Sequence, residues 1–170
     1  MELKAFIRDI PDFPQPGILF RDITPLLADK AALAAAIEAL AEPFRKDGVE
    51  AVAAVEARGF IFGSAVARAL GVGFVPIRKQ GKLPWRTAQL RYDLEYGQDT
   101  IEVHRDAIRP GMRVLMIDDL LATGGTMVAA CKLMETLEAK IVGLTFLVEL
   151  TALAGRDRLG TYRIHSVIQY

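Results

Sequence analysis

Apolar residues along the chain fall into two patterns that alternate. Short runs that are apolar almost throughout are typical of strands buried on both faces of a parallel sheet, and they occupy residues 51–55, 73–77, 113–117 and 141–148. Apolar residues that recur every three to four positions predict helices at 30–46, 60–70 and 124–137. Pro43 is expected to kink the last turn of the first helix. Together these elements predict one α/β domain with a central parallel sheet flanked by helices.

Two segments interrupt this alternation. Residues 78–104 are polar, have no helical period and contain Gly81, Pro84 and Gly97, so we predict a long irregular insertion there. Insertions of this length in a small domain are usually functional or disordered, and the composition favours a function. Residues 11–25 contain four prolines and are predicted to be irregular as well.

The composition restricts the possible partners. The 170 residues suffice for one domain, and 52% of them are hydrophobic, which excludes a disordered chain. Lys plus Arg and Asp plus Glu both number 21, and this balance argues against nucleic acid or a membrane and favours a small-molecule partner. The single cysteine, Cys131, is predicted to be a core residue. No signal peptide or membrane-spanning pattern is visible, so we expect a cytoplasmic location.

The most informative string is Val-Leu-Met-Ile-Asp-Asp-Leu-Leu-Ala-Thr-Gly-Gly-Thr at 114–126. Asp118 and Asp119 follow a predicted strand, at the sheet edge where open parallel sheets bind ligands. Residues 122–126 then turn into a helix with two glycines, and backbone N–H groups at a helix start form an anion site. No lysine follows the glycines, so the string is not a nucleoside-triphosphate loop. The alternative interpretation is a helix cap followed by an ordinary turn.

This string resembles the phosphoribosyl-diphosphate motif of the type I phosphoribosyltransferases, in the variant found in the members that use adenine. The resemblance implies a single domain over 1–170, with an N-terminal hood at 1–28 and a flexible lid at 78–104. It also implies that Asp118 and Asp119 bind the ribose hydroxyls. The 5′-phosphate would be bound by the loop that contains Ala122, Thr123, Gly124, Gly125 and Thr126.

A second motif is Glu-Ala-Arg-Gly-Phe at 56–60, between a predicted strand and a predicted helix. Its glycine allows a close backbone approach to a ligand, and Arg58 places a fork-shaped cation at the sheet edge. An ion pair of Arg58 with Glu56 is the alternative. By the resemblance this is the pyrophosphate loop, so Glu56, Ala57 and Arg58 are expected to bind substrate and Arg58 to assist catalysis.

The third motif is the predicted lid. Between residues 78 and 91 the charged residues are all basic, which is either a solvated face or a cover for a polyanion. The resemblance favours the cover and implies that Arg78, Lys79 and Lys82 bind diphosphate. Because the family is usually dimeric, a homodimer is expected, with Arg78 reaching the neighbouring subunit's site. Trp85 and Arg86 depart from the family pattern, in which many members have glycine after Leu-Pro.

The resemblance also assigns roles in binding and converting the base. Glu95 is the candidate general acid and base; the alternative is a carboxylate that only pairs with lid cations. Tyr96 is expected to pack against the base. Phe20 would stack on the purine while the backbone of Leu19 and Arg21 reads its edge; otherwise Phe20 is a core aromatic residue.

The implied reaction converts adenine and 5-phospho-α-D-ribose 1-diphosphate into AMP and diphosphate. Mg²⁺ is the implied cofactor, bound mainly through substrate oxygens and waters, with no dedicated protein ligands. A 6-oxopurine substrate is the nearest alternative, because the discrimination depends on the backbone at 19–21. A regulator that binds phosphoribosyl diphosphate without converting it is a more distant one. His104 and His165 are predicted to be structural.

Overall fold

A seven-stranded sheet forms the centre of the computed structural model, which describes residues 1–94 and 96–170. In chain order the strands are β1 (Arg8–Ile10), β2 (Phe20–Asp22), β3 (Ala51–Val55), β4 (Gly73–Lys79), β5 (Thr87–Asp93), β6 (Gln98–His104), β7 (Arg113–Leu121), β8 (Lys140–Glu149) and β9 (Ile164–Gln169). The helices are α1 (Thr24–Ala28), α2 (Lys30–Ala41), α3 (Arg58–Leu70), α4 (Gly125–Thr136) and α5 (Gly155–Arg158). Short 3₁₀ turns cover Leu3–Phe6, Glu42–Phe44 and Thr151–Leu153.

The order of strands in the sheet is β5-β6-β4-β3-β7-β8-β9. The five strands from β4 to β9 in this order are parallel. At one edge β6 pairs antiparallel with β4, and β5 pairs antiparallel with β6. The predicted parallel sheet with flanking helices is therefore confirmed. Strand β7 continues to Leu121, four residues beyond its predicted end, so Asp118 and Asp119 lie inside the strand and not just after it. Helix α2 ends at Ala41, and the chain continues past Pro43 as a 3₁₀ turn, because proline cannot donate a helical hydrogen bond.

The prediction of irregular structure is wrong for much of 78–104. Strands β5 and β6 form an antiparallel hairpin with seven residue pairs, from Thr87–His104 to Asp93–Gln98. Within the described residues, the hairpin pairs with the main sheet where Arg78 and Lys79 of β4 lie opposite Glu102 and Ile101, and the Gln80 N–H donates to the Thr100 carbonyl at 3.0 Å. One signal was available in the sequence, since Leu90 and Tyr92 alternate with exposed residues and pack against the core.

The sheet separates two hydrophobic layers. Along β3, Ala53 and Val55 face the layer that contains α4, whereas Val52 and Ala54 face the layer that contains α2 and α3. This alternation is the two-residue period of a strand that is covered on both faces. Gly63 lets α3 lie close to the sheet, because a Cβ atom there would come within 2.9 Å of the Ala54 side chain. The start of α3, where Arg58 lies, is therefore held firmly against the sheet.

Strands β1 and β2 pair with each other outside the main sheet and form the hood. The Arg21 guanidinium lies 3.8 Å from the centre of the Tyr170 ring and forms an ion pair with Asp9. Lys4 Nζ also lies over this ring, at 4.1 Å, and donates to the Gln169 carbonyl. These contacts attach the hood to the β9 edge.

The two histidines and the cysteine occupy structural environments. His165 Nε2 is 3.1 Å from the Ala39 carbonyl, and burial lowers the pKa of this imidazole. The His104 ring accepts a hydrogen bond from the backbone N–H of Trp85 at 3.3 Å. Cys131 is buried in the layer beneath α4, as predicted. Within the described residues, no helix is both long and apolar enough to cross a membrane.

Candidate active site

The phosphate loop, residues 122–126, connects β7 to α4. Gly124 has φ of +83°, a left-handed conformation that glycine adopts without strain, and α4 begins at the next residue. The first N–H groups of a helix have no acceptor within the helix, and they carry the positive end of its dipole. The loop therefore presents donors suited to a phosphate, in the position that the sequence predicts.

Asp118 and Asp119 lie near the end of β7, with Leu120 and Leu121 between them and this loop. Asp119 is buried, and Asp118, which is only partly exposed, accepts a hydrogen bond from the Asp119 N–H at 2.8 Å. Burial raises the pKa of Asp118 well above its usual value, and the Asp119 charge adds to this increase, while Arg58 opposes it. Gly59 is required beside this pair, because a Cβ atom there would lie 2.9 Å from Asp118 Oδ1. The two carboxylates form an acceptor pair that hydroxyl donors or a cation would stabilise.

Arg58 links the acid pair to the hood. Its Nε lies 2.7 Å from Asp119 Oδ2, and its guanidinium carbon lies 5.6 Å from the centre of the Phe20 ring. Because the Arg58 side chain is about half exposed, its remaining N–H donors are available to a ligand. The predicted alternative, an ion pair with Glu56, is not what the structure shows.

A cavity of about 430 Å³ lies under the hood and is bounded by Phe20 and Arg58. Phe20 is half-buried on its wall and meets the Phe13 ring edge to face at 5.1 Å. The lining is mostly apolar, with a few polar groups, as is usual for small-molecule sites. The other residues around it are Ile10, Asp22, Ile23, Thr24, Leu27 and Ile61. The side chains of Leu19 and Arg21 border a different hollow next to Tyr170, so only their backbone could contribute here.

The pyrophosphate loop is joined to the base of the hairpin. Glu56 Oε1 accepts hydrogen bonds from the Lys79 N–H at 2.7 Å and from Arg78 Nε at 3.2 Å. The sequence assigned these three residues to substrate, and the structure brings them together as a network next to Ala57. Lys79 forms an ion pair with Asp99. Burial is the largest single influence on the Lys79 pKa and lowers it, but the hydrogen bonds and charges of Asp99 and Tyr92 together outweigh burial, so the net shift of this pKa is upward.

Three other predicted site residues belong to the hairpin region. Lys82 is exposed, and its carbonyl is 3.5 Å from Arg78 Nη1. The Tyr96 side chain is 84% exposed, so it packs against no base-sized cavity in this arrangement. Glu95 lies outside the described residues, and its predicted acid and base role stays a prediction.

The resemblance assigns residues 20–25 to base binding, but it gives no individual role to Asp22 or Thr24, and Gly155 was missed altogether. Asp22 lines the hood cavity and accepts from both the N–H and the hydroxyl of Thr24, which lowers the Asp22 pKa. The Asp-Ile-Thr-Pro string, typical of a helix start, is the signal that could have revealed this pair. Gly155 contacts the phosphate loop from behind, and no local pattern predicts that contact.

The residues at the site suit a cation that takes few protein ligands. Among residues 1–94 and 96–170, no group of three or more His, Cys, Asp or Glu side chains could hold a metal ion. Asp118 and Asp119 provide carboxylate oxygens on one edge of the phosphate loop. Mg²⁺ commonly uses one or two carboxylates and completes its shell with substrate oxygens and waters, so the donor set fits this ion.

Comparison with known proteins agrees with this geometry. The family profile described as "Phosphoribosyl transferase domain" matches residues 23–169. The adenine phosphoribosyltransferase of Methylococcus capsulatus is 58% identical over 99% of both chains. That of Rhodopirellula baltica is 56% identical over all of this chain and 82% of its own length.

Solved structures show the same fold. The adenine phosphoribosyltransferase of Thermoanaerobacter pseudethanolicus has a TM-score of 0.96 at 51% identity, with 99% of this chain and 98% of the other covered. The Saccharomyces cerevisiae protein, crystallised with an imino-altritol bisphosphate and adenine, has a TM-score of 0.92 at 40% identity over 98% and 96% of the two chains.

Proposed function

The chain belongs to the phosphoribosyltransferase family, and on this premise we propose that it transfers the 5-phosphoribosyl group of 5-phospho-α-D-ribose 1-diphosphate to adenine. The products are AMP and diphosphate. The observation that carries the proposal is the position of Arg58, which contacts Asp119 beside the phosphate loop and lies close to Phe20 in the hood cavity. One side chain thus adjoins both a sugar-phosphate site and a site shaped for an aromatic base.

Adenine is the base favoured by the relatives, since those at 53–58% identity bear the name adenine phosphoribosyltransferase. The hood cavity supports this assignment through Phe20, whose ring can stack on a purine. The backbone at Leu19 and Arg21 reads the edge of the base. A 6-oxopurine exchanges donor and acceptor at this edge, so it would leave buried polar groups unpaired and bind less well.

In the reaction, the bond from the ribose C1′ to the diphosphate oxygen breaks and a bond from C1′ to N9 of adenine forms, while N9 loses its proton. Positive charge develops on the ribose ring, and negative charge develops on the leaving diphosphate. Asp118 and Asp119 accept hydrogen bonds from the ribose hydroxyls, and residues 122–126 bind the 5′-phosphate. This arrangement fixes the sugar on two sides, so catalysis relies on positioning and charge stabilisation.

The diphosphate requires cationic partners. Arg58, Lys79 and Lys82 provide them, and Arg58 is the one already next to the acid pair. Mg²⁺, held by substrate oxygens and reached by Asp118 and Asp119, would neutralise the leaving group when bound.

The hairpin residues complete the proposal. Glu95 acts as the base that receives the N9 proton, and Tyr96 packs on adenine when the lid is closed. A homodimer would allow Arg78 to approach the partner subunit's diphosphate site. In this structure Arg78 is held by its own Glu56, so such a role requires this ion pair to break.

A spectrophotometric assay with Mg²⁺ and phosphoribosyl diphosphate tests the function. Adenine, hypoxanthine, guanine and xanthine are offered separately, and the best substrate is assayed again with EDTA. AMP formed from adenine alone, and lost on chelation, is the expected result. Conversion of a 6-oxopurine would overturn the assignment of the base. Binding of phosphoribosyl diphosphate without conversion of any base would indicate a regulator.

A further inference from the structure

The chain leaves β8 next to the phosphate loop and returns to it within a few residues. Glu149 is the register partner of Leu121, and the Leu150 N–H donates to the Leu121 carbonyl at 2.9 Å. After the 3₁₀ turn, Gly155 meets the loop backbone. A Cβ atom on Gly155 would lie 2.2 Å from the Ala122 carbonyl oxygen. The contact is therefore a backbone-to-backbone approach that only glycine allows.

The same contact is seen from the loop side. A Cβ atom on Gly124 would lie 2.8 Å from the Gly155 carbonyl oxygen, and Arg158 Nη1 donates to the Thr123 carbonyl at 3.3 Å. Because a trans peptide is planar, a carbonyl directed towards α5 orients the N–H of the next residue away from it. The carbonyls of Ala122 and Thr123 face α5, so the N–H groups that follow them face the opposite, ligand side.

An ion pair fixes the position of Gly155 and α5 behind the phosphate loop. Glu149 is almost completely buried, and its two oxygens accept from Arg156 Nε at 3.0 Å and Nη2 at 2.6 Å. Arg156 Nη1 also lies 3.3 Å from the Ile164 carbonyl on β9, and Gln169 Nε2 donates to Glu149 at 3.3 Å. The paired arginine lowers the pKa of Glu149 more than burial raises it. A two-point contact of this kind sets orientation as well as distance.

We propose that Glu149 and Arg156 are positioning residues, whose ion pair holds Gly155 against the phosphate loop and so aims the loop's N–H groups at the 5′-phosphate. This inference rests on the proposed function and adds a role for residues that touch no substrate. Gly155 links the ion pair to the loop, because it precedes Arg156 in the chain and its backbone contacts the loop. A purely structural pair would instead support the fold and leave the affinity for the 5′-phosphate unchanged.

The test compares Arg156→Lys with the wild type. Lysine keeps the charge but cannot make the two-point contact. We expect the KM for phosphoribosyl diphosphate and the Ki of ribose 5-phosphate to rise together by about tenfold, because small misplacements of a binding loop are costly. The KM for adenine and the Ki of pyrophosphate are expected to stay within about twofold, since neither ligand occupies the phosphate loop.

Two further variants complete the experiment. Arg45→Lys is the matched control, because Arg45 also contacts both oxygens of a carboxylate. Its Nη2 lies 2.6 and 2.7 Å from the two oxygens of Glu38, which is on α2. This variant should leave all four constants unchanged. Arg158→Met removes the contact with the Thr123 carbonyl from an exposed side chain, so it should fold and show a smaller selective rise in the same two constants.

The outcomes separate the two proposals. A wild-type protein that forms no AMP from adenine contradicts the proposed function. An active wild type, combined with an equal change or no change in all four constants in Arg156→Lys and Arg158→Met, contradicts the positioning role.

Discussion

Replacing Asp118 with asparagine should make the protein more stable and less active. The carboxylate lies in a largely desolvated position beside the charged Asp119, and both effects raise its pKa. The ionised form of the Asp118 side chain therefore opposes folding. Asparagine has nearly the same shape and can still accept from the Asp119 N–H, but it carries no charge.

The sign of the pH dependence follows from the direction of the shift. Well below the unfolded pKa of about 3.8, Asp118 is protonated in both states and contributes no difference. As the pH rises from the unfolded pKa to the elevated folded pKa, the wild type loses stability that Asp118→Asn keeps, and above the folded pKa the difference is constant. The cost of a poorly satisfied buried polar group is about 1–3 kcal/mol. For a chain of this size that corresponds to a higher Tm of the variant on the order of 5 °C at pH 8.

Denaturant unfolding of both proteins from pH 4.5 to pH 8, without substrate or Mg²⁺, measures this difference. The advantage of the variant should grow with pH and then level off. Glu149→Gln is a control of opposite sign: Arg156 lowers the Glu149 pKa, so this variant should be less stable at neutral pH, and its deficit should shrink as the pH falls.

Asp118→Asn should also reduce activity, because a neutral amide accepts a hydrogen bond from a ribose hydroxyl less strongly than a carboxylate does. Losing a hydrogen bond to a charged group, worth about 1.5–3 kcal/mol, lowers kcat/KM for phosphoribosyl diphosphate by about 10–100-fold. If Asp118→Asn is less stable than the wild type at pH 8, or if its stability advantage does not vary with pH, the reasoning that the folded protein raises the Asp118 pKa is refuted.

Four other outcomes can be measured directly. Arg58→Lys should lower kcat/KM by at least about tenfold because the fork is lost, whereas Arg68→Lys, on the exposed face of the same helix, should have no effect. Glu95→Gln should lower kcat more than it raises the KM for either substrate; an unchanged kcat would exclude proton transfer by Glu95. Burial raises the pKa of Cys131 to about 12, so this thiol should react with a disulfide reagent only after unfolding, and rapid labelling of the native protein would contradict its placement. Trp85, the single tryptophan, is 64% exposed on the way to the hairpin, and its fluorescence should shift to shorter wavelength when phosphoribosyl diphosphate and Mg²⁺ bind; an invariant spectrum would argue against closure of the lid.

The parts of the site that lie within one continuous segment could be predicted from the sequence. The string at 114–126 carries the acids, the glycines and the helix start together, so its local geometry follows from neighbouring residues. The Arg58–Asp119 contact could not be predicted, because it depends on β3 and β7 being neighbours in the sheet. Residue type alone suggested Glu56 as the partner.

The hairpin and the contact of Gly155 with the phosphate loop were missed for different reasons. Strand β5 buries only one face, so it has few apolar residues, and their two-residue period was obscured by the five basic residues between 78 and 91. The role of Gly155 depends on the loop backbone that lies beside it in space, and its sequence neighbours give no indication of that contact.

The junction of the hairpin with the sheet has a mechanical consequence. Within the described residues, seven residue pairs hold β5 to β6, whereas two pairs and the hydrogen bond from Gln80 to Thr100 attach β6 to β4. At about 3.3 Å per residue the ladder forms a stiff arm of about 23 Å on a pivot of about 7 Å. A tilt of about 10° at this pivot would displace the far end by about 4 Å with no strand pairing lost, but Leu90 and Tyr92 would have to shift against the core that they pack on. If the hairpin is the predicted lid, its closure is a rotation of an already ordered arm, and the entropic cost of that rotation is far below that of ordering a loose coil of equal length.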